Sequence, residues 1–340
     1  MNLLDLPKLT VVIPTCNGSR HLRETLASIR AQKEAAFDLV ISDDRSDDET
    51  LAIVQEEVGD RARVSVNSER LGLAGNWNRC VDLSQTEWVA IFHQDDVMQP
   101  GHLAAHRPIL DPDTDPRLGL FAGPVMMIDD LGSPVSPKVV DPGGLVERSG
   151  SAFVPKAGEV VFPPGEWLPL LRLSNPLRCS AVTIRKSAHQ EVGGFDPSYR
   201  YVVDWDFWAR VAQGWGLAWR FGPPTVAMRW HLASETHRFK TGTSDLDEQI
   251  RLLDRLNPPE STSTLDLRSI DERLARGFLN RAHDALKGGN ATLARSCLSR
   301  SIKLSRSVLM TMAADPRLAV QMGVLTLAPE QASRWFARRR

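Results

Sequence analysis

The feature that most constrains the fold is an apolar, β-prone run that ends abruptly in two carboxylates. Residues 88–96 read Trp-Val-Ala-Ile-Phe-His-Gln-Asp-Asp. Two adjacent ionised aspartates repel each other, and a divalent cation between them and a bound anion relieves that repulsion. Because ligands of an α/β sheet bind at the carboxyl ends of strands, the pattern indicates a metal-assisted phosphate site. An acidic turn that caps the next helix is the alternative interpretation.

Two earlier runs have the same form. Residues 9–13 are apolar and β-branched and stop at Pro14, while residues 37–41 lead into Asp43 and Asp44. A continuous apolar run of this length is typical of a buried strand in a parallel sheet. Since the carboxyl ends of parallel strands meet at one edge, we expect these polar strand ends to face one ligand.

Helical spacing separates the strands. Apolar residues recur at helical spacing over residues 20–32, with Ser19 as a candidate N-cap, and residues 46–49 have the form of a capping box. A further strand is expected over residues 118–128. The alternation of strands and helices predicts a right-handed parallel α/β sheet. Residues 129–169 are dense in Gly and Pro, which indicates either a functional loop region or a disordered insert.

After residue 240 the pattern becomes helical. Residues 273–286 and 292–304 form two amphipathic helices around Gly-Gly-Asn at 288–290, an αα-hairpin that looks like one tetratricopeptide-type unit. One such unit does not bury its apolar face alone, so it should pack on the main domain, a second chain or a partner. We therefore predict a main domain over residues 1–240 and a helical region over 241–340, with a homodimer mildly favoured.

Charge and cysteine content exclude several classes of protein. The net charge is −1, but the last 80 residues carry 14 basic and 6 acidic residues. Their basic, aromatic end (residues 334–340) is either a solvated tail or a weak attachment to an anionic membrane. The acidic main domain argues against nucleic-acid binding. Four scattered cysteines, no leader pattern and no apolar run of about 20 residues favour a cytoplasmic protein, with peripheral contact at the inner membrane face as a further possibility.

Six motifs together resemble the family 2 glycosyltransferases with the GT-A fold, in order and in spacing, over roughly residues 9–240. The motifs are residues 11–17, 40–47, 67–78, 92–96, 193–196 and 204–210. The resemblance implies a mostly parallel GT-A sheet flanked by helices, here with a C-terminal helical appendage. It also implies an inverting transferase that moves a sugar from a UDP, dTDP or GDP donor to a hydroxyl of a glycan or lipid-linked acceptor, with Mn²⁺ or Mg²⁺ as cofactor.

The resemblance assigns the donor-binding residues near the first strands. Asp43 matches the carboxylate that recognises the base, where it can accept the imide N–H of uracil or thymine. Pro14, Thr15 and Asn17 would line the nucleotide, although Asn17 could equally be a turn residue. Asn78 is expected to face the nucleotide from the following helix.

The resemblance also assigns a metal site. Asp95 matches the metal-ligating aspartate of the D-x-D motif, and His231 matches a histidine that often completes the metal shell. His93 stands where many relatives have the first aspartate, and it is either an acceptable ligand of Mn²⁺ or a hydrogen-bond donor to the diphosphate. This departure puts the identity of the metal in doubt, because His suits Mn²⁺ better than Mg²⁺. Asp96 would add a second ligand or a contact to the ribose.

Asp204 matches the family's catalytic base, which takes a proton from the acceptor hydroxyl as it attacks. Relatives often have Glu immediately before it, whereas this chain has Val203. A helix N-cap is the structural alternative for Asp204. Arg178, Cys179 and Ser180 precede a strand that faces the acceptor side, and they are weaker candidates for acceptor binding.

Two other functions compete with the transferase. A non-catalytic GT-A module that binds nucleotide sugar or glycan would explain His93 and the missing Glu, but not Asp95, Asp204 and His231 together. A nucleotidyltransferase usually has a Gly-rich, Lys- or Arg-bearing loop after its first strand. This chain has Pro-Thr-Cys-Asn-Gly at residues 14–18, so we discount that class.

Overall fold

The computed structural model describes residues 9–32, 36–140, 158–231, 239–258 and 264–327. The chain divides into two compact units, Met1–His231 and Leu232–Arg340. The division falls shortly before the boundary expected at residue 240. The basic end at residues 334–340 lies outside the described residues, as does the middle of the Gly- and Pro-rich region.

In the described part of the first unit, twelve strands form two sheets. They are β1 (Leu9–Thr15), β2 (Asp38–Asp43), β3 (Arg63–Val66), β4 (Trp88–Ile91), β5 (Val97–Met98), β6 (Leu118–Ala122), β7 (Val125–Ile128), β8 (Pro134–Val140), β9 (Glu159–Phe162), β10 (Val182–Arg185), β11 (Gly216–Arg220) and β12 (Val226–Arg229). The larger sheet has the order β3-β2-β1-β4-β10-β6-β11-β9, and the smaller has β5-β12-β7-β8.

The strands that carry the predicted site are parallel neighbours. β1 pairs in parallel with both β2 and β4, so Thr15, Asp43 and the segment after Ile91 emerge at the same edge. β1 is almost wholly buried, as its uninterrupted apolar run predicts. The expected α/β architecture is confirmed, with one modification. β10 runs antiparallel between β4 and β6, so the sheet is mixed.

Six α-helices are described beside these sheets. They are α1 (Ser19–Arg30), α2 (Thr50–Glu57), α3 (Gly72–Leu83), α4 (Leu168–Leu171), α5 (Lys186–Glu191) and α6 (Val203–Gly214). α1 buries Leu22, Leu26 and Ile29, the residues whose spacing predicts the helix, against a core that includes β1 and β2. Both expected N-caps are wrong in detail, because Gly18 precedes α1 and Glu49 precedes α2.

The single strand expected over residues 118–128 is two strands. β6 belongs to the large sheet and β7 to the small one, and residues 123 and 124 between them are Gly and Pro. Proline has no N–H for the ladder and glycine weakens a strand interior, so the chain leaves one sheet there and enters the other. This change of sheet places β7 beside β12, which leads to His231.

The described residues of the second unit form five helices. They are α7 (Ser244–Leu256), α8 (Thr264–Lys287), α9 (Ala291–Leu304), α10 (Ser307–Ala314) and α11 (Pro316–Leu327). The predicted hairpin is α8 and α9, joined through residues 288–290. Its apolar face is covered within the unit, because Leu246 of α7, Val308 of α10 and Met322 of α11 share its core. The hairpin therefore needs no second chain to bury that face. No helix in the described part of the chain is long and apolar enough to cross a membrane.

Candidate active site

Asp43 ends β2 and organises the edge of the sheet. Its side chain is fully buried and accepts hydrogen bonds from Thr15 Oγ1 (2.7 Å), Ser46 N (2.8 Å) and Ser46 Oγ (2.6 Å). Ser46 thus hydrogen-bonds to Asp43 instead of capping the helix that follows. A direct contact between Asp43 and a nucleotide base requires the atoms that now cover it to move.

Asn17 and Asp44 fix the loops beside Asp43. Asn17 has a φ of 48°, and its Oδ1 accepts from Asp47 N at 2.9 Å, so it acts as a turn residue that joins two loops. The Asp44 carboxylate accepts from Asn67 Nδ2, Leu71 N and Gly72 N, which anchors the start of α3. The sequence analysis missed this role of Asp44.

Asn78 joins α3 to the Gly-Gly-Phe turn instead of facing the edge of the sheet. Its Nδ2 donates to Phe195 O at 2.9 Å, and its Oδ1 accepts from Phe195 N at 2.8 Å and contacts His189 Nε2 at 2.9 Å. Both ends of the amide are engaged, so Asn78 drops out of the set that we propose for the donor.

Gln94 clamps the loop after β1, a role the sequence did not suggest. Its Nε2 donates to Cys16 O at 3.1 Å, and its Oε1 accepts from Cys16 N at 2.9 Å. A Cβ at Gly18 would overlap Gln94 Oε1, so the absence of a side chain at Gly18 makes the clamp possible. Pro14 and Thr15 are held at the same edge by their pairing with β2.

Asp95 and His231 form a polar pair at this edge. His231 Nε2 lies 2.9 Å from Asp95 Oδ2, and the Asp95 side chain keeps 25% of its surface exposed. Burial acts to raise the pKa of Asp95, but the hydrogen bond from His231 and the charges of His93 and His231 outweigh it, so the pKa lies below its usual value. Asp95 is therefore an ionised, accessible carboxylate.

Asp96 has the opposite environment. Its Oδ1 accepts from Arg229 N at 2.8 Å and its Oδ2 accepts from Ser180 Oγ, which ties the segment after β4 to β12 and to the start of β10. Burial and the charge of Asp95 raise the pKa of Asp96 to about 8. Because both of its oxygens already accept hydrogen bonds, Asp96 is better described as a structural anchor than as a ligand.

Arg229 hydrogen-bonds to the same segment after β4. Its guanidinium is buried and donates to Asp95 O (2.9 Å), Asp129 O (3.0 Å) and Glu24 Oε2 (2.5 Å). The position of Arg229, two residues before His231, is the only sequence signal that could have pointed to it.

His93 is close to both Asp95, which pairs with His231, and Asp204, the predicted base. Its ring stacks on Trp77 with centroids 5.3 Å apart, and its backbone N donates to Ser180 Oγ. Burial lowers the pKa of His93, whereas the charges of Asp95 and Asp204 act to raise it. Nε2 is buried without a hydrogen-bond partner in the described part of the chain.

Asp204 lies in the first turn of α6. Its Oδ1 accepts from Trp205 N at 2.7 Å and its Oδ2 accepts from Asn175 Nδ2 at 3.0 Å. Burial raises the pKa of Asp204, although the nearby charges of Arg178 and His93 oppose the rise. Asp206, the other aspartate in the first turn of this helix, is fully buried and paired with Arg210. The fold thus brings Asp204 and the residues after β4 to one site, as the sequence analysis expects.

The donor atoms fit a divalent metal. His93, Asp95 and Asp96 can each direct one ligand atom to within 4.8 Å of the others, and His21, Asp130 and His231 form a second such group. In the described part of the chain, His93 Nε2 and His231 Nδ1 are buried without a hydrogen-bond partner. Imidazole nitrogens with a carboxylate match the preference of Mn²⁺ more closely than that of Mg²⁺. Because both oxygens of Asp96 already accept hydrogen bonds, the candidate ligands are Asp95, His93 of the same group, and His231, whose Nε2 lies 2.9 Å from Asp95 Oδ2.

Sequence comparison agrees with this site. Residues 10–115 match the model of Glycosyl transferase family 2. A glucosyltransferase of Campylobacter jejuni, described as acting on GalNAc(5)-diNAcBac-PP-undecaprenol, is 32% identical over 102 residues, which is 29% of this chain and 33% of that protein. A PGL/p-HBAD biosynthesis glycosyltransferase of Mycobacterium tuberculosis is 26% identical over 229 residues, which covers 65% and 76%.

Solved structures share the fold. Staphylococcus aureus TarS 1–349 in complex with UDP-GlcNAc has a TM-score of 0.55 at 14% identity, with 97% of this chain and 90% of that chain covered. A mannosyltransferase of Pyrobaculum calidifontis in complex with GDP-Man and Mn²⁺ has a TM-score of 0.50 at 17% identity, with 97% and 83% covered. The family match covers residues 10–115, about a third of the chain, and the M. tuberculosis relative that matches over a longer stretch is also described as a glycosyltransferase.

Proposed function

We propose that this glycosyltransferase is metal-assisted and inverting, and that it transfers a sugar from a nucleoside-diphosphate donor to a hydroxyl of a glycan or lipid-linked acceptor. The observation that carries the proposal is the position of His93, on which the charges of both Asp95 and Asp204 act. Asp95, which we assign to the metal, and Asp204, which we assign as the base, therefore both lie near the His93 imidazole. A single displacement between donor and acceptor requires this proximity.

The donor side is built around Asp95. Asp95, His231 and His93 would hold the divalent ion, which when bound neutralises the charge that develops on the departing nucleoside diphosphate. The protein keeps Asp95 ionised through His231 and fixes its backbone through Arg229. Pro14, Thr15 and Asp43 form the adjacent edge on which we place the nucleotide.

The acceptor side is built around Asp204. A sugar hydroxyl is a weak nucleophile, and a carboxylate within hydrogen-bond reach can take its proton during attack on the anomeric carbon. Asn175 and the Trp205 N–H orient the Asp204 carboxylate, and its raised pKa makes it a stronger base than a free aspartate. One attack from the face opposite the leaving group inverts the anomeric configuration.

Relatives indicate the classes of substrate. TarS has been solved with UDP-GlcNAc and the P. calidifontis enzyme with GDP-Man and Mn²⁺, so a nucleoside-diphosphate sugar is the donor class that we propose. The C. jejuni relative is described as acting on an undecaprenol-linked glycan. We accordingly favour a lipid-linked acceptor over a free glycan.

A donor-hydrolysis screen tests the proposal. Purified protein is incubated with UDP-, dTDP- and GDP-sugars in Mn²⁺, Mg²⁺ or EDTA, and release of the nucleoside diphosphate is measured. Wild type is compared with Asp95→Ala, Asp204→Asn and Asp206→Asn, the last being a matched control on the same helix. We expect metal-dependent release from one donor, lost in Asp95→Ala and reduced about 10²- to 10⁴-fold in Asp204→Asn.

Binding separates a silent donor site from a wrong proposal. If hydrolysis is undetectable, calorimetry with each nucleoside diphosphate should still show binding that needs Mn²⁺ and Asp95. Absence of both release and metal-dependent binding would refute metal assistance at this site. Equal activity of Asp204→Asn and wild type, with the fold intact, would refute the assignment of the base.

A further inference from the structure

The outward face of α10 and α11 is apolar although its surroundings are strongly basic. Met310 is 75% exposed, Val320 56% and Leu309 44%, values unusual for large apolar side chains. Residues 291–327 carry five basic residues and one acidic residue. We call Leu309, Met310, Ala313, Ala314 and Val320 the outer face of the second unit.

The outer face lies opposite the core of this unit. Residues 309, 310, 313 and 314 follow one side of a helix by their spacing, and all four are exposed. Val308 and Met312, on the other side of α10, pack into the core with Met322 and Leu325 of α11. α10 therefore has two apolar sides, of which its own unit covers one.

Basic side chains flank the outer face. Lys303, Arg306 and Arg317 are exposed and close to it in sequence, and Asp315, between α10 and α11, is the one acidic residue in this stretch. Arg300, by contrast, is paired with Asp247 of α7. The local surface thus combines apolar side chains with a positive rim.

We propose that this outer face docks on an anionic lipid bilayer. Apolar side chains that enter the boundary between headgroups and acyl chains, with lysine and arginine beside the headgroups, are the pattern by which a helix lies on a membrane surface. A two-fold contact with a second copy of this chain would instead place the same arginines against each other, which like charge opposes. The proposal is independent of the catalytic assignment.

Vesicle sedimentation tests the docking. The full chain is mixed with phosphatidylcholine vesicles, with or without phosphatidylglycerol, and the bound fraction is measured against lipid concentration and salt. We expect binding only to the anionic vesicles. Leu309→Ser with Met310→Ser should weaken it about tenfold or more, and each of Arg306→Gln and Arg317→Gln about fivefold. Val64→Ser with Val66→Ser, two exposed apolar residues of β3, is the matched control and should bind as wild type does.

Three results would overturn the proposal. One is failure of the wild type to bind anionic vesicles, and another is equal binding by the Leu309/Met310 variant whose folded state is verified by circular dichroism. The third is loss of binding on replacing Arg338, Arg339 and Arg340 by Gln when the α10 substitutions have no effect, because the C-terminal tail would then carry the contact. Sedimentation velocity of wild type and the α10 variant, without lipid, tests self-association, and a dimer abolished by the α10 substitutions would assign the face to a second copy.

Discussion

Asp95 and Asp96 are adjacent in sequence, yet the structure gives them opposite roles, and isosteric substitution can separate these. In Asp96→Asn, the amide oxygen can still accept from Arg229 N and the amide nitrogen can donate to Ser180 Oγ, so both anchoring contacts are retained. In Asp95→Asn, the accessible negative charge at the edge of the sheet is lost. We therefore expect Asp95→Asn to abolish Mn²⁺ binding and Asp96→Asn to leave it largely intact.

The pH dependence of stability gives the magnitude. The pKa of Asp96 is raised from 3.8 to about 8 by burial and by the charge of Asp95. Between those values the folded state binds more protons than the unfolded state, so the free energy of unfolding falls as pH rises. Each pH unit well inside this window costs about 1.4 kcal/mol, and the slope falls to half at the folded-state pKa, so the loss from pH 6 to pH 8 is about 2 kcal/mol. Asp96→Asn removes the titrating group and should remove that loss.

Urea unfolding at about pH 6 and about pH 8, in EDTA, measures the effect. Wild type should lose about 2 kcal/mol over this interval, and Asp96→Asn should lose much less. Asp95→Asn should also show a smaller loss, because the charge that helps to raise the pKa of Asp96 is gone. The same pH slope in wild type and Asp96→Asn would show that Asp96 is ionised in the folded protein. Loss of Mn²⁺ binding in Asp96→Asn but not in Asp95→Asn would reverse the two roles.

Three further predictions concern other buried charges. Asp204 must be ionised to accept a proton, and its pKa is raised. Initial rates of donor turnover should therefore rise with pH through that raised pKa and then level off. A rate that is independent of pH from about pH 4 to 8 would exclude Asp204 as the base. Arg281→Met leaves Asp245 buried and unpaired and should cost about 3–5 kcal/mol in urea unfolding, largely recovered in Arg281→Met with Asp245→Leu; no cost in the single variant contradicts the buried pair. Burial lowers the pKa of His106 to about 4, so the folded state binds fewer protons than the unfolded state between that value and 6.5, and stability should fall by up to about 3 kcal/mol as pH drops through that window. His106→Gln should flatten this acid limb, and an unchanged limb would show that His106 is not responsible.

The sequence alone determined the architecture of the first unit and the set of motifs. Uninterrupted apolar strands such as residues 9–13 and 88–92 are explained by burial on both faces of a sheet, and their polar ends must then collect at one edge. That reasoning predicted that Asp43 and Asp95 belong to one site region, to which the family resemblance added Asp204. It also predicted the α8–α9 hairpin, because the 3.6-residue period and the Gly-Gly-Asn turn are local signals.

Tertiary structure decided which polar residue has which partner. Asp95 and Asp96 are indistinguishable in the sequence, and only the approach of β12 and Ser180 buries one carboxyl and leaves the other exposed. Asn78 was expected to contact the nucleotide, but its side-chain amide hydrogen-bonds to the backbone of Phe195, which is distant in sequence. Hydrogen-bond partners more than a hundred residues apart leave no local pattern, because they depend on how separate elements come together.

The helical unit shows the same division. Its sequence fixed neither the number of helices nor the face left uncovered, since Leu309 and Val308 are neighbours with similar side chains. Packing buries Val308 in the core with Met322 and leaves Leu309 44% exposed. Periodicity states which residues share a side of a helix, whereas only the arrangement of the neighbouring helices states which side meets protein. That physical difference separates what the chain specifies locally from what the folded structure adds.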